Sequence, residues 1–226
     1  MLYAWGMASR YTAASKTTSR RLPASDCSLI QIVDSALADA TERSGEWLVC
    51  RPGCTQCCVG VFAINRLDAQ RLKHGMDVLQ KADPERADRI RERARRSIQT
   101  LSGRFPGKFP GNAKTGLLDE EIFAVGSEAE ERFADLGNHE VCPVLDPKTG
   151  LCELYDSRPM TCRTFGPPVR SDGGLGVCEL CFHGATDQQI ADCEMVPDPE
   201  NMEATLLNKL EAHGLRGHTV VAYCVK

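Results

Sequence analysis

Large aromatic rings are scarce in this chain. Phe, Tyr and Trp make up 6% of its 226 residues, with only two Trp. A core built from such a sequence gains little from big buried rings and leaves room for another kind of staple. A basic excess is missing as well: 27 Lys and Arg stand against 31 Asp and Glu, a net charge of −4. That balance excludes broad attraction to nucleic acid, though not a local basic patch. No window is apolar and long enough to span a bilayer, and no apolar run of signal-peptide length occurs near the start. We therefore expect no membrane partner and a cytoplasmic location. Neither a phosphate loop nor a dinucleotide fingerprint is found, and no internal repeat is seen.

Cysteine is what the chain has in quantity. Of its twelve cysteines, Cys50, Cys54, Cys57 and Cys58 fall within nine residues, and Cys142, Cys152, Cys162, Cys178 and Cys181 follow in a Pro/Gly-rich segment. In a reducing compartment, thiols this dense point to a shared metal rather than to disulfides. A thiolate is a soft ligand that suits zinc or iron, including a four-iron cluster, and both accept four thiolates. Four thiolates around either centre leave a net charge of about −2, which burial must offset with donors or cations. Arg51, Arg158 and Arg163 stand beside cysteines and are candidates for that role. Adjacent side chains diverge on a strand or a helix, so Cys57 and Cys58 are expected to serve different centres, or one of them to pack as an inert thiol. His139 and His183 are secondary ligand candidates, whereas Cys27, Cys193 and Cys224 read as buried apolar thiols. A crowd of thiols argues against a single activated cysteine nucleophile.

The fold class expected is mainly α with a few short strands, an irregular cysteine-rich, metal-stapled region packing on the helices. Residues 1–27 read as a disordered tail, with a transit peptide or a start nearer Met7 as competing readings. Residues 28–226 read as one cysteine-cluster domain, with a metal-binding core at 50–182 and a C-terminal helix and strand over 201–225. Leu29, Ile30, Val33, Leu37 and Ala40 share a stripe that predicts a helix over 28–44, and Glu46 to Val49 suggests a short strand. A second helix runs from Leu67 to Lys81 behind a candidate cap at Asn65, and Asp83-Pro84 restarts a third. That third helix carries an arginine-rich face (Arg86, Arg89, Arg91, Arg93, Arg95 and Arg96), read as solvated and locally ion-paired. Residues 102–116 read as a loop, Glu120 to Leu136 as a helix, 201–213 as a helix and Thr219 to Val225 as a strand.

Two strings go further. Cys50-x3-Cys54-x2-Cys57 has the spacing of radical S-adenosylmethionine enzymes, but Gln56 stands where those have an aromatic and no alternating βα pattern follows. The second is Cys142-Pro-Val-Leu145, then Cys152-Glu-Leu-Tyr155-Asp-Ser-Arg158-Pro159-Met-Thr-Cys162-Arg163. Together with Cys54-Thr-Gln-Cys57-Cys58 it resembles the YkgJ family of cysteine-cluster proteins, described as zinc- or iron-chelating domains. The resemblance covers roughly residues 50–182 and implies eight metal-ligating cysteines. Seven map onto Cys50, Cys54, Cys57, Cys58, Cys142, Cys152 and Cys162, and the eighth onto Cys178 or Cys181; the gap after Cys50 is three residues where many members have two. The motif is also similar to that of flagellin lysine methylases, which implies iron–sulfur-dependent methyl transfer as an alternative; a zinc-stapled interaction module without catalysis is another. Tyr155 is expected to hydrogen-bond a thiolate or to pack, and Arg158 to offset its charge. No substrate or protein partner is legible.

Overall fold

The computed structural model describes residues 22–105, 112–171 and 174–226. The stretch read as a tail lies, for residues 1–21, outside the described residues, as do residues 106–111 of the loop read over 102–116. The fold is mainly α with short strands, as expected.

Helix α1 (Ala24–Ser44) begins within the segment read as tail, and its stripe faces inward: Leu29, Ile30, Val33 and Ala40 are buried. Helices α2 (Arg66–Ala82) and α3 (Pro84–Ser102) are separated by a single residue. Asn65 caps α2 by accepting the Asp68 N–H, and Asp83 caps α3 by accepting the Arg86 N–H ahead of Pro84. Each such cap satisfies an otherwise orphaned donor and contributes about 1 kcal/mol. Leu67 and Leu72 on α2 and Ile90 on α3 are fully buried, each burial stabilising the fold by roughly 1.5–3 kcal/mol.

Four sequence expectations change here. The loop read over 102–116 holds a short helix, Asn112–Thr115. Glu46 to Val49 is not a strand: Gly45–Trp47 is a 3₁₀ turn followed by extended chain at Leu48. The helix expected over 120–136 is divided. A 3₁₀ turn (Glu120–Phe123) and a short α-helix flank Gly126, whose φ of 77° breaks the run, and Ser127 caps the second piece by accepting the Glu130 N–H. Thr219 to Val225 is likewise no strand. Thr219 pairs with Ile64 in a lone bridge, and Val221–Val225 then forms a buried helix. An apolar run buried on every side carries no period, so strand and helix look alike in sequence.

In chain order the remaining elements are α4 (Asn112–Thr115), α5 (Glu128–Ala134), α6 (Met160–Thr164), the hairpin β1 (Val169–Ser171) and β2 (Gly174–Gly176), α7 (Asp187–Asp192), α8 (Met202–Ala212) and α9 (Val221–Val225). Helices α2, α3 and α9 enclose the main core, which includes Ile64, Leu72, Met76, Ile90 and Val225; Val144 and Leu154 of the cysteine-rich segment sit in it. Leu29 and Val33 of α1 pack with Leu206 of α8 in a neighbouring cluster.

A buried ionic hub joins these layers. Arg71 of α2 donates to Asp26 of α1 (2.6 Å) and to Asp68 (2.7 Å), and it reaches Glu203 of α8 at 3.5 Å. Asp68 also accepts the Met160 N–H at 2.9 Å, which fixes the start of α6 against α2. Burial raises the Asp68 carboxyl, with Arg71 opposing that shift.

Candidate metal centre

The clustered cysteines lie on four segments. In the first, the Cys54 N–H donates to Arg51 O and the Cys58 N–H to Thr55 O, each at 2.9 Å, so two tight turns fold the chain back on itself. Gln56–Cys58 forms a 3₁₀ turn. The two thiols bear on each other: the interaction with Cys58 lowers that of Cys57, and the interaction with Cys57, together with burial, raises that of Cys58.

The second segment is clipped onto the first. The Cys142 N–H donates to Cys58 O at 2.8 Å, and Val59 pairs with Val141. Leu145 then pairs with Cys152, which brings Cys142 and Cys152 to one end of a tight loop that rests on the main core. The third segment is α6, which carries Cys162. The fourth is the turn from Cys178 to Cys181, closed by the Cys181 N–H donating to Cys178 O at 2.8 Å.

These segments divide the sulfurs into two neighbourhoods. Charge that would form on Cys57 bears on Cys58, Cys142, Cys152 and Cys162. Burial pushes Cys142 up to about 12 and raises Cys152 and Cys162; nearby thiols add to the shift of Cys162. Cys50 instead feels Cys54, Cys57, Cys181 and Cys178, and is pushed up to about 11, first by desolvation and then by these neighbours.

The surroundings of the sulfurs sort the cysteines further. The backbone at Val144 lowers the Cys142 thiol, that at Leu154 lowers Cys152, and that at Val49 and Cys50 lowers Cys181, each opposing the larger effect of burial. Each of these effects favours the thiolate. Cys193 and Cys224 do the reverse: their thiols donate to Arg43 O (3.4 Å) and Val220 O (3.8 Å), which suits a protonated, packed side chain. Cys193 does not stand apart from the clusters as its place in the sequence suggests, since it packs with Cys181 and Phe182. His139 and His183 are exposed.

The arginines take different posts. Arg158 is buried, its Nε has no hydrogen-bond partner, and its charge lowers Cys57 and Cys152. Tyr155 is 56% exposed and lies under that guanidinium, 3.8 Å from ring centre to Cζ, so its ring serves Arg158 as a cation–π platform. Arg163 points away, to Asp34 at 2.6 Å, and ties α6 to α1; Arg51 is exposed. The arginine face of α3 is only partly as expected. Arg91, Arg95 and Arg96 pair locally with Asp88 and Glu92, but Arg86 and Arg93 cross to Glu153, next to Cys152. Arg93 also donates to Pro143 O at 2.8 Å, and its charge lowers Cys142. No sequence pattern announces this contact, which joins residues 60 positions apart.

Among the described residues, no three Cys, His, Asp or Glu side chains stand in the mutual geometry that holds an ion. The sulfurs are neighbours and not yet a closed cage. Compared with known families, residues 49–181 match the one described as "CxxCxxCC: Putative zinc- or iron-chelating domain". The chain belongs to this CxxCxxCC family. Compared with curated proteins and with solved structures, it finds no match. As a CxxCxxCC domain the chain is a zinc- or iron-chelating protein, and its partner is accordingly a metal ion. The donor set fits such an ion: the thiols are free, main-chain bonds bring their segments together, and the buried Arg158 offsets part of the charge their thiolates would carry. No helix among the described residues is long and apolar enough to cross a membrane.

Proposed function

We propose that Cys57, Cys142, Cys152 and Cys162 are the ligands of one zinc or iron centre, with Cys58 beside Cys57 at its edge. The single observation that carries this reading is the clip between the two cysteine-bearing segments from before α2 and after α5, the Cys142 N–H on Cys58 O and the Val59–Val141 pair, with Leu145–Cys152 closing the second segment. A divalent ion that displaces the protons of buried thiols supplies the cation their thiolates need.

Four thiols fill a tetrahedral ion and leave no position for substrate. The role this supports is a staple in a reducing, cytoplasmic setting, one that pins the cysteine-rich segment to the helices. Joining residues 85 positions apart (142 − 57) removes freedom from the unfolded chain, an effect of about 4–5 kcal/mol by the disulfide analogy. The likeness to YkgJ proteins fits the same reading. A four-iron cluster on the same thiols is the alternative occupant, told from zinc by acid-labile sulfide and colour.

The test is metal content after anaerobic purification. Cys162→Ser is expected to lose metal and to become protease-sensitive across the domain, whereas Cys27→Ser keeps both properties of the parent. Full metal content in Cys162→Ser would remove the second half of the chain from the site.

A further inference from the structure

We propose that the 3₁₀ turn Tyr155–Ser157 carries an oxyanion site, where the guanidinium groups of Arg158 and Arg163 receive a phosphate or carboxylate group. No bound metal is needed for it.

A guanidinium withdrawn from water needs an opposite charge or a full set of acceptors. Elsewhere this chain meets that need with the same edge of the side chain. Arg71 turns Nε and Nη2 to Asp26 at 3.0 and 2.6 Å, and Arg170 turns the same two nitrogens to Glu194 at 2.9 and 2.5 Å. The buried residues Asp26, Asp68, Arg71 and Arg163 each have a partner of opposite charge. Arg158 is 7% exposed, and no carboxylate pairs with it among the described residues. Its Nη1 donates to Tyr155 O at 3.4 Å. Its Nε is buried with no acceptor, and Nη2 makes no hydrogen bond among the described residues. Arg158 thus keeps free the edge that Arg71 and Arg170 give to carboxylates, the one that grips a carboxylate or phosphate with two parallel bonds.

Arg163 adds a second donor on the same turn. It is buried, its Nη1 donates to Asp34 at 2.6 Å and its Nη2 to Asp156 O, and its Nε is also buried without an acceptor. The two guanidinium groups therefore hold the carbonyls of adjacent residues, 155 and 156, and each retains an orphaned donor. Only the exposed Asp34 answers these two buried cations, which leaves one positive charge for an anion to balance. Buried donors without partners are rare enough in native proteins to mark a place for an ion.

The mount is rigid. The Ser157 N–H closes the turn on Leu154 O at 2.9 Å, and Leu154 lies in the main core. The Tyr155 ring, stacked on Arg158 and 56% exposed, is the cover whose rotation admits the anion. The charge of Arg158 reaches the thiols through space, but no sulfur accepts a hydrogen bond from its Nε.

Inorganic phosphate and acetate are the probes. Each is titrated at constant ionic strength into the full-length chain, purified with its metal, while the arginine Nε–H resonances are followed by nitrogen-15 NMR. A saturable shift of the Arg158 signal is expected, with chloride leaving it unmoved. Arg158→Lys keeps the charge but loses the two-bond edge, and is expected to bind the anion roughly tenfold more weakly, the loss of one charge-assisted hydrogen bond. A response to phosphate alone assigns a phosphoryl group, and one to acetate alone a carboxylate. No saturable shift at Arg158 with either anion overturns the site. Undiminished affinity in a folded Arg158→Lys places the anion elsewhere and overturns it too. Should that variant unfold or shed its metal, the titration of the unaltered chain decides, because the shift is read at Arg158 itself.

Discussion

The two thiol neighbourhoods differ in what stands behind them. The set around Cys57 leans on the main core: Cys142 and Cys152 pack against it, and α6 is tethered to α2 through Asp68. The set around Cys50 is held by main-chain bonds, from the Phe182 N–H to Trp47 O and the Cys181 N–H to Cys178 O, and by a small satellite cluster of Cys181, Phe182 and Cys193. The contrast shows that one cysteine-rich segment can be supported in two ways, by helices already stable or by its own turns. Damage to the helical layer should therefore reach the first set and largely spare the second.

Acid offers the largest lever on both. A thiol held above its ordinary value must lose its proton to bind metal, so affinity falls as pH falls, about tenfold per unit for every proton displaced. Cys50 at about 11 and Cys142 at about 12 each add to that slope near neutrality. Cys57, whose thiol is drawn below its ordinary value, adds least. Zinc competition with a chromophoric chelator between pH 7 and 8.5 should show this dependence, and a flat profile would contradict thiolate ligation.

Arg71→Ala comes next. It leaves Asp26 and Asp68 buried without their cation, at a cost of roughly 3–5 kcal/mol in urea unfolding. Because Asp68 also holds Met160, zinc uptake should weaken with it, while Phe182 and the Cys178–Cys181 turn stay closer to the parent in hydrogen exchange; equal loss of protection in both regions would erase the contrast. Gly75→Ala is milder. The added methyl would lie 2.5 Å from Ser157 Oγ, and such overpacking destabilises by about 1–3 kcal/mol. A lowered melting temperature with an undisturbed Cys178–Cys181 turn is the expected outcome.

Where periodicity existed, the sequence was legible. Helices α1 to α3 follow from apolar residues three and four apart and from caps at Asn65 and Asp83. Helix α9 was hidden because all its residues are buried, and α6, at five residues, is too short to show a period. Helix α7 had a readable signal in Thr186 and Gln189, which form a reciprocal cap. At the site, the identity of the clustered thiols was plain from spacing. Which cysteine segments come together was not, because it depends on main-chain pairings between distant loops such as Cys142 with Cys58. The reach of Arg86 and Arg93 to Glu153 was equally invisible, since helical charge patterns describe neighbours on one helix and not a partner on a distant turn.

The tether from Asp68 takes hold of a main-chain amide at position 160, not of a side chain. Any apolar residue that keeps the packing of Met160 against the Leu29 and Leu206 cluster can therefore stand there, while proline would sever the link. Over evolutionary time, divergence among relatives should tolerate drift at 160 far more readily than at 68, even though the two positions share one bond.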